Sequence, residues 1–172
     1  MASILKVDQI EPKTGGGNIT IATQDRVMFS GGLASDQSGT RVTEVQIANM
    51  TSNEIDTHSA FNGTNFTVPS GKAGKYYIAF NCGVNYDDIG DDGEVTYIAT
   101  KVNGTAKMVT SIAHNSTGHM KYVTPFHTVL LDLSVGDVVT WWLYGHATSG
   151  DHSILNGSGS YPYTMVHGYQ LA

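Results

Sequence analysis

An acidic stretch at residues 87–94 carries the side chains best suited to binding a metal ion. Asp88, Asp91 and Asp92 stand close together in it, and carboxylate oxygens are preferred ligands of calcium. The spacing departs from an EF-hand loop, because Gly90 stands where a ligand belongs and Ala99 where the final glutamate belongs. We interpret the stretch as a solvated hairpin tip, with a weak calcium site as the alternative. The chain is expected to fold without a metal or other cofactor.

The chain has seven histidines, but their spacing forms no recognised zinc motif. They are His58, His114, His119, His127, His146, His152 and His167. His127 and His167 fall in predicted strands, so in an oligomer either could lie near a symmetry axis and give one metal ligand per subunit. Ordinary hydrogen-bonded or exposed histidines are the interpretation that we favour.

Asp151, His152 and Ser153 are the residue types of a catalytic triad, but three consecutive residues cannot converge on one substrate atom. We identify no nucleophile elbow, phosphate-binding loop or pair of catalytic carboxylates in the sequence. The sequence therefore predicts a protein that is not an enzyme. A polysaccharide-cleaving enzyme is the least favoured alternative.

Four tyrosines could form a surface on which a sugar ring stacks, or they could pack between subunits. They are Tyr144, Tyr161, Tyr163 and Tyr169. Packing between subunits is the interpretation that we favour for the group. Tyr161 and Tyr163 stand at the end of a stretch rich in glycine and serine, and they are the candidates for contact with a receptor.

The composition is typical of an all-β protein with many turns. The chain has 172 residues, of which 20 are glycine and 40% are hydrophobic, enough for one domain and an extension. Nine Lys and Arg residues against fifteen Asp and Glu give a net charge of −6, so binding to a nucleic-acid backbone is not expected. The single Cys82 is predicted to be a buried, inert thiol.

The N-terminus lacks the basic start and long apolar run of a signal peptide, and no apolar run is long enough to span a membrane. We therefore expect synthesis in a cytoplasm and no membrane insertion.

The clearest strand pattern lies at residues 126–144, which predict two strands joined by a tight turn at Ser134–Asp137. The second strand is apolar or aromatic on both faces. One face holds Val139, Trp141 and Leu143, and the other holds Val138, Thr140, Trp142 and Tyr144. Because a sheet with one solvated face needs only one apolar face, the second face must meet another sheet, another subunit or a ligand.

Short strands with frequent turns are predicted across residues 41–172, and no stretch has a helical period of useful length. In residues 75–84 one face holds Tyr76, Ile78, Phe80, Cys82 and Val84. Further strands are predicted at 95–102, 106–113 and 163–171, with turns at Asn62–Gly63 and Asn103–Gly104. The pattern indicates about eight to ten short strands in a sandwich or jelly roll.

Residues 1–40 contain only short strand-like pieces, and residues 31–39 are interpreted as a connection. We expect this segment to be an arm that packs on partner chains, because such short pieces cannot bury a core by themselves. The apolar residues expected to make those contacts are Ile4, Leu5, Val7, Ile19 and Ile21.

Five motifs in sequence order resemble the globular heads of complement one-q, a branch of the tumour necrosis factor-like jelly rolls. They are FNGTNFTVPSGKAG, GKYYIAF, KVNGT, LDLSVGDVV and YTMVHGYQL, although Val166 stands where that family usually has an aromatic residue. The resemblance covers residues 47–172 and implies a ten-stranded jelly roll that forms a homotrimer with an apolar seam. The expected trimer interface contains Val138, Thr140, Trp142, Tyr144 and Tyr169.

The opening MASILKVDQIEPKTGGGNITI resembles the N-termini of virion structural proteins of tailed bacteriophages, particularly marine and cyanobacterial phages. It implies a non-enzymatic tail-fibre or appendage knob in a virion. Residues 1–40 would attach it to other virion proteins, and residues 41–172 would contact a host surface glycan or protein, or another virion protein. A head decoration or fibre-joint protein without a receptor role is one alternative. A cellular complement-like lectin or ligand is another, and the lack of a secretion signal counts against it.

Overall fold

A computed structural model describes residues 25–40, 42–86, 95–113, 122–146, 152–157 and 163–171, except for the side chains of residues 52–54. All regular structure in these ranges is β, as predicted. The strands are β1 (Met28–Leu33), β2 (Gln37–Gly39), β3 (Glu44–Gln46), β4 (Met50–Asp56), β5 (Asn65–Thr67), β6 (Gly74–Asn81), β7 (Gly83–Tyr86), β8 (Val95–Val102), β9 (Thr105–Ala113), β10 (Tyr122–Val123), β11 (Phe126–Leu133), β12 (Val138–Gly145), β13 (His152–Leu155) and β14 (Met165–Gln170). Their number exceeds the predicted ten because several segments have only two to four residues. No described segment is a helix long and apolar enough to cross a membrane.

The strands form two packed layers. The front sheet has the order β11-β6-β14-β1-β4, and the back sheet has the order β3-β12-β8-β9, with β5 also paired to β12. A third sheet, β10-β7-β13-β2, continues the front sheet at one end, because β6 runs into β7 after Cys82 and β10 runs into β11 after Pro125. We call it the upper sheet. All described pairings are antiparallel.

The core lies between the front and back sheets and is rich in aromatic rings. Phe29 of β1 stacks on Phe66 of β5 at 4.4 Å between ring centroids, and it lies 6.0 Å from Trp141 of β12. Strand alternation explains this core, because Val139, Trp141 and Leu143 are fully buried while their neighbours in β12 are only half-buried. The faces predicted for β6 and β12 are confirmed.

Two predicted turns are linked to each other at one end of the sandwich. Asn103 and Gly104 both have positive φ between β8 and β9, and Gly136 has φ 85° between β11 and β12. The side chain of Asn103 donates to Asp137 Oδ1 at 2.8 Å and accepts the N–H of Val138 at 2.9 Å. The N–H of Ser134, with that Asn103 amide, lowers the pKa of Asp137. These contacts fix the register of the two hairpins relative to each other.

At the opposite end of β12, the imidazole of His152 is buried between two glycines. Gly39 is the register partner of His152 in the upper sheet, and a Cβ atom at Gly39 would overlap the imidazole ring. A Cβ atom at Gly145 would lie 2.7 Å from Nδ1 of the same ring. The two glycines therefore provide the space that the histidine side chain fills.

The boundary expected between arm and domain at residues 40 and 41 is wrong. Strand β1 lies between β14 and β4 inside the front sheet, and β2 pairs with β13 in the upper sheet. Val27, Phe29 and Leu33 belong to the core. Gly31 and Gly32, interpreted as a connection, are part of β1, and Gly31 makes room for the ring of Phe61. The sandwich therefore includes residues 25–40. Residues 1–24 of the proposed arm are not among the described residues.

Candidate functional site

The acidic stretch at 87–94, with Asp88, Asp91 and Asp92, lies outside the described residues, so its metal binding stays untested. Within the described ranges, no three His, Cys, Asp or Glu side chains come together as a metal site would require. Cys82 is buried as predicted, and burial raises the pKa of its thiol to about 12. A thiol with this pKa is a poor nucleophile and a poor metal ligand at neutral pH.

The structure separates the two histidines considered as ligands on a symmetry axis. His127 is buried between the layers, where Nε2 lies 2.7 Å from Oγ1 of Thr100 and the ring packs edge-on against Phe80. Burial lowers its pKa to about 4. The prediction that His127 could meet its copies on an axis is therefore wrong, since its ring does not reach the outer surface. His167 is exposed on the outside of the front sheet, and its role stays a prediction.

Of the triad residue types at 151–153, His152 is buried while Ser153 is only half-buried, because successive residues of β13 point to opposite faces. Asp151 lies outside the described residues. Sequence reasoning missed a different chain of triad types, in which Thr57 Oγ1 lies 2.8 Å from His58 Nδ1 and His58 Nε2 lies 2.9 Å from Asp25.

This second chain has a structural role. Oγ1 of Thr57 already donates to the carbonyl of Arg26 and accepts the N–H of Met28, so it is not available as a nucleophile. Lys72 binds the Asp25 carboxylate at 2.6 Å and lowers its pKa. The cluster joins the segment before β1 to Thr57, His58 and Lys72.

The outer face of the back sheet holds four of the five residues expected at the trimer interface. They are Val138, Thr140, Trp142 and Tyr144, and all are half-buried within the chain itself. Lys101 Nζ lies 4.2 Å from the Trp142 ring centroid. Tyr144 stacks on Tyr97 at 4.7 Å. Much of the second apolar face of β12 is therefore covered by neighbouring strands of the same sheet.

A hydrogen-bonded network holds this cover in place. Glu44 of β3 accepts from Lys101 at 2.6 Å and from the Tyr97 hydroxyl at 3.1 Å. The bond from Lys101 lowers the pKa of Glu44. Desolvation and the Glu44 carboxylate together raise the pKa of Tyr97 to about 12. The network explains how a strand that is apolar on both faces can border solvent in a single chain.

Tyr169, the fifth residue of the expected interface, lies on the opposite side of the molecule. It belongs to a row across the outer face of the front sheet in which Leu130 pairs with Tyr77, Tyr77 with Tyr169, and Tyr169 with Met28. We call these four residues the apolar belt. The rings of Tyr77 and Tyr169 lie 5.2 Å apart. Leu130 is 67% exposed, so the belt has no cover comparable to that of the back face.

The surroundings of the belt carry little charge. The next row consists of Thr128, Ala79, His167 and Ser30, and desolvation holds the pKa of His167 below its usual value. On the other side of the belt, Lys75 and Asp132 form an exposed ion pair at 3.1 Å. Such a neutral apolar area on the outside of a sheet is typical of a surface that meets another protein.

A cleft of about 510 Å³ opens where the front sheet passes into the upper sheet. Its described lining consists of Asp36, Val84, Tyr122, Val123, Thr124, Leu155, Asn156, Gly157 and Tyr163. Tyr122 and Tyr163 are 62% and 48% exposed. Of the two tyrosines expected to contact a receptor, Tyr163 therefore lies in a cleft, whereas Tyr161 lies outside the described residues.

Solved structures similar to this chain share its fold. The globular domain of zebrafish complement 1qA superposes with a TM-score of 0.55 and 17% sequence identity, covering 86% of this chain and 98% of that domain. Eiger TNF from S. frugiperda superposes with a TM-score of 0.55 and 14% identity, covering 86% of this chain and 92% of that protein. No protein-family model and no curated protein sequence matches the chain. The chain therefore has a jelly-roll fold of the complement 1q and TNF type. The resemblance of the arm to phage proteins stays a prediction.

Proposed function

We propose that this chain is a non-enzymatic virion protein of a tailed phage, a homotrimeric appendage knob that binds a surface ligand and attaches through its N-terminal arm. The observation that carries the trimer is the apolar belt on the front sheet. Leu130, Tyr77, Tyr169 and Met28 form one continuous row, and both Leu130 and Tyr169 are more than 40% exposed.

A second copy of this chain is the occupant that best fits the belt. The belt itself has no charged side chain, and its charged neighbours are one ion pair and the exposed Arg26, so it offers little charge pattern that would select a strongly basic or acidic partner. Closed cyclic symmetry covers such a patch on every copy without continued polymerisation. The resemblance to complement one-q heads, from which a trimer is expected, supports the same assembly.

The experiment is a mass measurement by light scattering and native mass spectrometry at micromolar concentration. A stable particle of three chains is expected. A monomer at these concentrations would overturn the homotrimer and leave the belt without its assigned partner.

The virion role rests on the arm, whose opening residues resemble phage structural proteins. Ile4, Leu5, Val7, Ile19 and Ile21 are the residues proposed to contact another virion protein, by adding a strand to the edge of a partner sheet. A chain that begins at Asp25 keeps the contacts of Asp25 with Lys72 and His58 and should still form the trimer. It should be missing from assembled particles that incorporate the full chain. Equal incorporation of both chains would remove the attachment role from residues 1–24.

A further inference from the structure

We propose that the cleft at the junction of the front and upper sheets binds a neutral carbohydrate. The inference rests on the proposed function, in which the knob contacts a surface ligand, and it names the site and the chemical class of that ligand. The cleft of about 510 Å³ falls within the range of roughly 300–1,000 Å³ usual for sites of small ligands.

Three parts of the chain that are distant in sequence build this cleft. Tyr122 comes from β10 and Asp36 from the link between β1 and β2, while Asn156 follows β13 and Tyr163 precedes β14. They meet because the front sheet passes into the upper sheet at this point. The site is therefore a product of the fold rather than of one flexible loop.

Hydrogen bonds fix the polar walls of the cleft. Asp36 Oδ1 accepts the N–H of Asn156 at 2.8 Å, and the Asn156 side chain donates to the carbonyl of Ala34 at 3.3 Å. The carbonyl of Asn156 in turn accepts the N–H of Tyr163 at 3.2 Å. Among the described residues, the second carboxylate oxygen of Asp36 makes no further bond, so it is available to a ligand hydroxyl.

The position of Tyr163 is fixed as well. Its carbonyl accepts from the side chain of Asn81 at 2.7 Å, and its Cβ lies over Gly83, where an added Cβ would come within 2.5 Å. A glycine at position 83 thus allows the tyrosine to sit directly on the sheet. Because the main chain and the Cβ of Tyr163 are held in this way, its main chain loses little conformational freedom when a ligand stacks on the ring.

The chemistry of the lining selects the ligand class. Two exposed phenol rings offer flat apolar surfaces for the C–H faces of a sugar ring, and one carboxylate and one amide offer hydrogen bonds to hydroxyl groups. The described lining contains no Lys, Arg or His, so among these residues a phosphate, sulfate or sialic acid would find no cation to pair with and would meet Asp36. A neutral oligosaccharide satisfies both the aromatic and the hydrogen-bonding groups.

The test uses the full chain on an array of neutral oligosaccharides built from hexoses and N-acetylhexosamines, beside their sialylated and sulfated counterparts. Binding should be confined to the neutral compounds. Calorimetry with the strongest of them should then show about a tenfold loss of affinity for Tyr163→Ala and for Tyr122→Ala. The variant Tyr163→Phe keeps the ring and should keep the affinity, and Asp36→Asn should weaken binding while still accepting the Asn156 N–H.

The outcome separates this inference from the proposed trimer. If the chain is trimeric but no neutral compound binds, or if Tyr163→Ala binds as well as the unaltered chain, the carbohydrate site is wrong and the trimer stands. Preference for the anionic compounds would also overturn it. Thermal melting of each variant confirms that lost binding comes from the cleft and not from unfolding.

Discussion

The two outer faces of this sandwich are both apolar in sequence, but only one of them is covered by its own chain. On the back sheet, Lys101 lies over Trp142 and Tyr97 stacks on Tyr144. On the front sheet, Leu130 is 67% and Tyr169 42% exposed, in a row with Tyr77 and Met28. Alternation along a strand reveals that a face is apolar. It does not reveal whether neighbouring strands supply a cover.

The difference comes from the side chains at paired positions on adjacent strands. Register sets Thr140 of β12 opposite Lys101 of β8, and Tyr144 opposite Tyr97, so long side chains of β8 lie across the aromatic residues of β12. In the front sheet the corresponding partners of Tyr77 are Leu130 and Tyr169, which extend the apolar row. An apolar face that is extended by the side chains of adjacent strands is a stronger candidate for an interface between subunits than a face that those side chains cover.

The largest effect is expected from a truncation that removes one edge of the belt together with part of the core. A chain starting at Arg41 lacks Val27, Phe29 and Leu33, each contributing about 1.5–3 kcal/mol by burial, against a total stability of about 5–15 kcal/mol. It should show no cooperative thermal transition by circular dichroism, whereas a chain starting at Asp25 should melt normally. A folded domain from the Arg41 start would restore the original boundary between arm and domain.

A carboxylate placed on each face tests the comparison directly. Leu130→Asp would put an unpaired charge into the proposed subunit contact at a cost of about 3 kcal/mol or more, so trimers should dissociate at micromolar concentration. Thr140→Asp on the back face is the matched control, because a carboxylate there can still accept the Trp142 Nε1–H. The reverse result in light scattering would assign the subunit contact to the back face, with Val138, Thr140, Trp142 and Tyr144 as expected from the sequence.

The hydrogen bond between His127 and Thr100 joins the two sheets and should make stability depend on pH. Burial lowers the pKa of His127 from 6.5 to about 4, so the fold favours the neutral ring. The neutral His127 ring contributes fully to the free energy of unfolding above pH 6.5. This contribution falls by about 2–3 kcal/mol as the pH falls towards 4.

The variant His127→Gln isolates this contribution, since His167, whose pKa is also lowered, changes stability in the same direction. Denaturation by urea gives the free energy of unfolding at pH 7 and at pH 4.5. The difference between these two values should be smaller for the variant than for the unaltered chain. Equal differences would show that His127 does not titrate as its burial implies.

The smallest effect concerns the cover of the back face. Lys101→Met keeps an apolar stem over Trp142 but loses the cation and the ion pair with Glu44, so stability should fall by about 1 kcal/mol. The oligomeric mass should not change. A double-mutant cycle with Glu44→Gln measures the share of the ion pair, and a loss of trimer would show that this cover also forms part of a subunit contact.

Local patterns were sufficient to predict much of this fold from the sequence. Strands β8, β11 and β12 were recognised because their alternation is strong and their turns contain Asn103–Gly104 or Gly136. A short strand could be placed at residues 26–29, but the second half of β1 was missed for an equally local reason, since two glycines in MFSGGL resemble a connection. In the sheet, Gly31 is needed to accommodate the ring of Phe61, a contact that no window of sequence contains.

The candidate sites depended on information that is not local. The belt requires the registers of four strands, β11, β6, β14 and β1, and the cleft requires the meeting of Asp36 with Asn156, 120 residues apart. Tyr163 was identified as a receptor contact from its setting in a loop, but Tyr122 and Asp36 carry no local signal. Long-range pairing decides which polar and aromatic side chains share one surface.

The slot that holds His152 constrains the order in which this sequence can diverge. The buried ring fills the space above both Gly39 and Gly145, so a side chain at either glycine would overlap a fully buried imidazole. Substitution at position 152 by a smaller residue must therefore come first, and it leaves a cavity that a side chain at position 39 or 145 can then fill. Substitutions at these three positions, which lie far apart in the chain, are therefore expected to depend on one another.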